Sequence, residues 1–519
     1  MKVLFTHGYF LHEDPKEQAI MKPYPPLGLL YLSAWLDKHN VENEVFDTTF
    51  STKELLKEYL LRTQPPIVAL YTNLMTKLNV IEIVRFIRNH EALQNTLIVL
   101  GGPDVTHNIP DYLATGADLI VIGEGEQTMI SIAELSSAEL SSAELSSADF
   151  GMRSAEYPVE HPNGGMSGPI RNPKSEIRTQ KIRTQKFRTQ KFRNPHSTFH
   201  TVNGLAYLLE DGLVHKTQVR EKIRDIDDLP FPNRHKIDLE KYLTVWKTAH
   251  GHNAVSISTQ RGCPYTCKWC STAVYGQSYR RRSAENVVDE IVFLQKNYDF
   301  DLIWFVDDVF TVSHKWLGEF HDELKKRQVT VQLECITRAD RLNDEVLKML
   351  RACGCFRVWI GAESGSQRII DAMDRRVDVD QVRAMIKSAR KIGIQAGTFI
   401  MLGYPGETEA DIRETVEHLK DSNPDLFTIT VAYPIKGTGL YEEVESTASS
   451  DMPWAESTDR DIDFQRTYPR RYYDFAVRWT VNSVHWHKAK LADKQFTING
   501  LKLLAKVAVA KAGMVWYRR

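Results

Sequence analysis

Long apolar runs are missing from this chain of 519 residues. No stretch approaches the roughly 18 uninterrupted apolar residues from which a membrane-crossing helix is read. Net charge is equally scarce: 66 Lys and Arg stand against 67 Asp and Glu, leaving -1. Without a surplus of cations there is little to neutralise phosphates, which argues against a general nucleic-acid binder. Cysteine is sparse too. Six residues are too few for a disulfide framework, so reducing cytoplasm is the expected compartment. The opening MKVLFTHGYF carries one Lys and too short an apolar run for a signal peptide. What is present is ordinary: 42% hydrophobic and 26% charged residues suit a soluble globular chain. At about 150 residues per domain, the length allows two to four domains.

Residues 1–130 alternate short apolar strands with amphipathic helices, a pattern that predicts a parallel sheet covered on both faces. Strands are expected at 2–6, 41–46, 67–71, 97–101 and 119–123, with helices over 26–39 and 78–90. Ligands of such sheets bind beyond the carboxyl ends of the strands. Those ends carry His7-Gly8, Tyr71-Thr72-Asn73, Gly101-Gly102-Pro103-Asp104 and Gly123-Glu124-Gly125-Glu126. Over 131–204 the pattern is lost. AELSS units repeat from Ala133 and RTQKF-like units from Arg178. A period of five fits neither 3.6 nor 2, so neither tract builds a persistent buried face. The first reads as a solvated helix extension, the second as an expansion tolerated in a surface loop. Within 205–250, residues 206–209 and 213–217 flank Asp211-Gly212 as a hairpin, and a polar linker follows.

Strands and helices alternate again over 251–442. The strands are expected at 254–258, 302–306, 331–335, 358–361, 396–402 and 426–432. Six β/α units predict an open partial barrel, short of the eight that close one, working at its strands' carboxyl ends. Residues 443–519 are helical and aromatic-rich, suited to covering the barrel's open side. There Lys502 and Lys506 share a helix face, and Trp516, Tyr517, Arg518 and Arg519 have the character of interfacial anchors. Helix packing with polar tips accounts for them; peripheral membrane contact is the functional alternative.

Chemistry concentrates just after the first barrel strand, in RGCPYTCKWC at 261–270. Cys263, Cys267 and Cys270 are spaced C-x3-C-x2-C. Three thiolates on one loop suit three corners of an iron–sulfur cube and leave a fourth iron open. A zinc knuckle is the bland alternative, but tetrahedral zinc takes four ligands and no nearby Cys or His supplies the fourth. Cys335, Cys353 and Cys355 lack cluster spacing and read as buried structural thiols.

At these residues the chain resembles the radical S-adenosylmethionine (SAM) superfamily, whose C-x3-C-x-aromatic-C signature Trp269 completes. The resemblance spans about 255–442. It implies a [4Fe-4S] cluster held by Cys263, Cys267 and Cys270, whose open iron chelates SAM. It implies also an external low-potential electron donor, such as flavodoxin or ferredoxin, and cleavage of SAM to a 5′-deoxyadenosyl radical. WFVDDVF at 304–310 resembles the second-strand segment, so Asp307 or Asp308 would accept from the SAM ammonium. IGAESGSQ at 360–367 resembles the fourth-strand motif, with Glu363 and Ser364 near the ribose or carboxylate. Arg338 would pair with the carboxylate, since guanidinium suits a planar anion. GTFIMLGYPGE at 397–407 resembles the segment beside the adenine, with Gly397 and Gly403 allowing close approach.

The pairing of this barrel with an α/β domain bearing KPYPPLGLLYL, GGPD and GEGE resembles the cobalamin-binding radical SAM class. The resemblance implies an α/β fold: an N-terminal Rossmann-like cobalamin-binding domain, a partial (β/α)6 radical SAM barrel and a helical C-terminal region. Cobalamin would lie across the strand ends, against Thr72, Asn73, Gly101, Gly102 and Glu124. The D-x-H-x-x-G motif that supplies a histidine to cobalt is absent, so no histidine is expected on the metal; His7 and His12 read as ordinary histidines. The implied activity is methylation of an unactivated carbon of a small-molecule substrate. The alternatives are a cyclase or rrearrangement enzyme acting on a tetrapyrrole or lipid, like the anaerobic magnesium-protoporphyrin ester cyclase, and a non-enzymatic cobalamin or redox sensor.

Overall fold

The computed structural model describes residues 2–149 and 199–518, with side chains up to 138 in the first of these segments. Its first sheet is built from β1 (Val3–His7), β2 (Asn43–Phe46), β3 (Ile67–Tyr71), β4 (Leu97–Gly101), β5 (Leu119–Val121), β6 (Leu205–Leu208) and β7 (Val214–Lys216). Their order is β2-β1-β3-β4-β5-β6-β7. The first five strands are parallel, and the β6–β7 hairpin adds antiparallel to β5. The hairpin expected at the head of a linker region therefore completes the first sheet. Alternate residues of each strand feed two cores. Val3, Phe5 and Val99 pack with Leu29, Leu30 and Trp35 on one face, and Leu4, Val68 and Ile98 with Val80, Val84 and Ile87 on the other. The helix Glu126–Asp149 runs through the AELSS repeats; the basic repeat from Arg178 lies outside the described residues.

The second sheet contains β8 (Ala254–Ile257), then, after a small ribbon of β9 (Gln260–Arg261) with β10 (Arg280–Arg281), β11 (Leu302–Phe305), β12 (Leu333–Thr337), β13 (Cys355–Glu363), β14 (Gln395–Leu402) and β15 (Leu426–Val431). Six parallel strands run in the order β15-β14-β13-β12-β11-β8, an open barrel wall that winds once through the sequence. Helices return between them, started by side-chain caps: Ser283 accepts from the Asn286 amide and Asn343 from that of Val346. Apolar helix faces such as Val287, Leu317, Leu347 and Ile386 close on Ile257, Phe305, Val358 and Ile400. Cys335, Cys353 and Cys355 are buried here, as structural thiols would be. The helix Arg470–Leu491 packs on the helix Glu409–Ser422 and against β14 and β15, and the helix Ile498–Trp516 packs on it in turn. No helix among the described residues is long and apolar enough to cross a membrane.

Candidate active site

The carboxyl ends of both sheets open into one cavity of about 800 Å³, toward the upper end of ligand-cavity sizes. The first domain contributes Tyr71, Asn73, Gly101, Gly102, Gly123 and Glu124, over an apolar floor that includes Leu29, Leu32 and Met129. The barrel contributes Cys263, Ser271–Gly276, Val306, Asp307 and Asp308. Thr72 is buried behind this wall, its hydroxyl unpartnered among the described residues. Gly102 is required by the turn. Its φ is +115°, and a Cβ there would lie 2.3 Å from the Thr72 carbonyl oxygen.

The cysteine loop leaves β9 and returns along β10, so the ribbon ties its base. Cys263 is buried, Cys267 half-buried and Cys270 exposed. Among the described residues no group of three His, Cys, Asp or Glu is gathered as a metal site. The three thiols are nevertheless neighbours. Cys270 is pushed up to about 12, first by the surrounding protein, with Asp308, Cys263 and Cys267 adding repulsion. Cys267 lies between two guanidiniums, with Arg338 Nη1 and Arg375 Nη1 each donating to its Sγ at 3.6 Å. Arg338 is fixed by Asp340 at 2.8 Å, by the Arg375 carbonyl at 2.7 Å and by the Tyr265 ring 3.9 Å away. Two guanidinium donors aimed at one sulfur complement the negative charge of an iron-bound cysteine. The donor set therefore fits an iron–sulfur cluster in its chemistry.

The two aspartates at the end of β11 differ sharply. Asp307 is buried and accepts from the Thr259 and Gln260 amides at 2.8 and 3.2 Å and from the Thr259 hydroxyl. It shapes the turn between β8 and β9. Asp308 faces the cavity without a hydrogen-bond partner among the described residues, and enclosure by protein raises its carboxyl, with Asp307 adding to the shift. Glu363 ends β13 in the left-handed backbone region, φ 63°, a strained placement typical of functional sites. Arg375 reaches it at 3.6 Å, and burial raises its carboxyl against the pull of Arg375 and Arg338. Ser364 turns inward, to the Thr415 hydroxyl and the Ser366 amide. Trp269 packs with Ile369, Met373 and Tyr404, under the Arg375 guanidinium.

Other expected contacts are occupied by protein. At Gly397 a Cβ would lie 2.5 Å from the Trp359 ring, so this glycine makes room for tryptophan. Gly403 donates its amide to Glu407 and lies under the Tyr473 ring. His7 lines the cavity with both ring nitrogens engaged, by Asp47 on one side and by Thr48 and the Tyr9 amide on the other; His12 is exposed.

Glu124 also has its oxygens committed. It accepts from Arg280 at 2.8 and 2.9 Å, from Arg261 at 3.2 Å and from the Ile223 amide at 2.7 Å. Glu126 takes the other arm of Arg261, whose guanidinium also faces the rings of Tyr31 and Tyr275. One arginine from each strand of the ribbon thus grips the first domain. The Cys loop is clamped at its base to the wall opposite.

Sequence reasoning gave no role to Arg375, Arg261, Arg280 or Glu126. Arg261 and Glu126 stood inside the quoted motifs, whereas Arg375 meets Cys267 only through folding and carries no local signal.

Comparison with known proteins fits both walls. The B12 binding domain model matches residues 20–133 and the radical SAM superfamily model residues 257–419. The chain carries a B12-binding domain and a radical SAM domain, and it is an enzyme. It is 26% identical over 462 residues to an uncharacterized methyltransferase of Pyrococcus horikoshii, covering 86% of this chain and 85% of that one. It is also 26% identical over 455 residues to the anaerobic magnesium-protoporphyrin IX monomethyl ester cyclase of Rubrivivax gelatinosus, covering 86% and 70%. Its fold is like that of the radical SAM methyltransferase TsrM of Kitasatospora setae, solved with cobalamin and a [4Fe-4S] cluster bound. That match has a TM-score of 0.62 at 16% identity and covers 86% of this chain and 74% of that one.

Proposed function

We propose that this protein is a cobalamin-dependent radical SAM methyltransferase acting on an unactivated carbon of a small molecule. The observation that carries the reading is the single cavity in which the B12-type strand ends face Cys263 and Asp308. When bound, the cluster and SAM supply reductive cleavage to a carbon-centred radical, and cobalamin supplies the transferable methyl group. Cys263, Cys267 and Cys270 would hold the cluster, and Arg338 and Arg375 would steady it through Cys267. Asp308, unpartnered and facing the cavity, is the residue best suited to the SAM ammonium. Glu363 and Arg338 lie on the Cys267 side of the loop, where they would meet the ribose and carboxylate. Asn73, Gly101 and Gly102 would meet cobalamin through short side chains and backbone, with the apolar floor excluding water. The Glu124 clamp holds the two walls at a fixed separation. An external low-potential donor would supply electrons, and free cysteines suit a reducing cytoplasm.

Because the cyclase and the methyltransferase are each 26% identical to this chain, the product decides between them. Anaerobic protein with SAM, reductant and cobalamin is expected to form both 5′-deoxyadenosine and S-adenosylhomocysteine. The combined Cys263→Ala, Cys267→Ala and Cys270→Ala variant should form no 5′-deoxyadenosine. 5′-Deoxyadenosine formed with a turned-over substrate and no S-adenosylhomocysteine would favour cyclisation or rearrangement. Neither product from a protein with an intact cluster would overturn the radical reading and favour a sensor.

A further inference from the structure

The helix Ile498–Trp516 is apolar on two sides. Inward, Gly500, Ala510 and Met514 are buried in the packing on the helix Arg470–Leu491. Outward, Ile498, Leu501, Ala505, Val509, Ala512 and Trp516 recur at three- and four-residue steps and form one exposed stripe. Trp516 is 81% exposed, Ile498 74% and Val509 67%. Phe496, in the turn between the two helices, is 83% exposed and extends the stripe past the helix start. A stripe of this length on a monomer marks an interaction surface.

Its charge identifies the partner. Lys502 and Lys506 edge the stripe on one flank, with Lys494 at the turn, and none of the three has a carboxylate partner among the described residues. The helix contains no Asp or Glu. From Lys488 to Arg518 the chain has seven Lys and Arg and one acid, Asp493, although Lys511 and Arg518 are turned to Glu409. An apolar face bordered by unpaired lysines, with a tryptophan near one end, matches the boundary between lipid headgroups and acyl chains. It differs from a self-association surface, where the same lysines would meet one another.

We propose that this hairpin docks the protein on an anionic membrane surface, with the outward face of the helix Ile498–Trp516 lying in the interface. The proposal does not depend on the chemistry of the active site, because binding is read without turnover. The full-length, anaerobically prepared protein is tested by flotation with vesicles of phosphatidylglycerol and phosphatidylcholine, and with vesicles of phosphatidylcholine alone. Binding to the anionic vesicles is expected to be at least tenfold tighter and to weaken as salt is raised. Val509→Ser with Trp516→Ser, and separately Lys502→Glu with Lys506→Glu, should each cut it at least tenfold, with circular dichroism and thermal midpoint unchanged. These positions face solvent, so the variants are expected to fold. Failure of the wild-type protein to bind either vesicle would overturn the proposal. So would equal binding by wild type and both variants, or a lipid-free dimer that Val509→Ser with Trp516→Ser dissociates.

Discussion

Glu124 and Asp308 sit at strand ends on opposite walls of one cavity, and the protein treats them oppositely. Glu124, after β5, is gripped by Arg261, Arg280 and the Ile223 amide. Asp308, after β11, has no hydrogen-bond partner among the described residues. In sequence both are acids beside the ends of apolar strands, and both invite assignment to a cofactor. The structure divides them by what the other domain brings: two arginines to the first, open space to the second. Position at a strand end makes a residue a candidate; unspent hydrogen-bonding capacity makes it available to a ligand.

The largest effect is expected at the clamp. Replacing Glu124 and Glu126 together by Gln leaves the Arg261 and Arg280 guanidiniums without their counter-charges, and breaking one such buried pair typically costs about 3–5 kcal/mol. We expect a lower denaturant midpoint and faster proteolysis at the domain junction. Restored stability when Arg261→Gln and Arg280→Gln are added would identify the unpaired cations as the cause.

A milder contrast lies between neighbouring aspartates. Asp307→Asn disturbs the acceptor of two buried amides and a hydroxyl, for an expected loss of about 1–3 kcal/mol in thermal or chemical unfolding. Asp308→Asn should change stability by no more than about 0.5 kcal/mol while slowing 5′-deoxyadenosine formation. Equal stability losses for the two would show that Asp308 is structural.

The effect most gradual in onset, spread over several pH units, concerns a third carboxyl. Glu407 is buried, accepts the Gly403 amide and leaves Oε1 unpaired among the described residues; burial raises it from 4.5 to about 8, with Asp411 adding to the shift. A carboxyl raised on folding keeps its proton in the native state while the unfolded chain loses it. Stability should therefore fall as pH rises from about 4.5 to about 8, by at most ~1.4 kcal/mol per pH unit. Glu407→Gln should flatten that slope, as checked by melting curves across this range.

Much of the architecture was legible because it is periodic. Predicted strands at 67–71 and 97–101 match β3 and β4, and the helix expected over 78–90 lies one residue from Lys77–Asn89. The strand expected at 331–335 sits two residues later, at Leu333–Thr337, since an apolar run marks a strand better than its ends. The cysteine loop was legible because its spacing is local. The hairpin's place on β5, the clamp and Arg375 were not, because each depends on pairing across long stretches of sequence. Gly397 resembled a ligand contact because a glycine does not reveal which ring lies over it, here that of Trp359.

When bound, the cluster and cobalamin would share one cavity. Electron paramagnetic resonance of protein carrying both cob(II)alamin and the reduced cluster tests it most directly. A shared cavity predicts that reducing the cluster broadens the cob(II)alamin signal, and that the signal stays sharp in the triple Cys→Ala variant. An unperturbed cob(II)alamin signal beside a fully reduced cluster would contradict it.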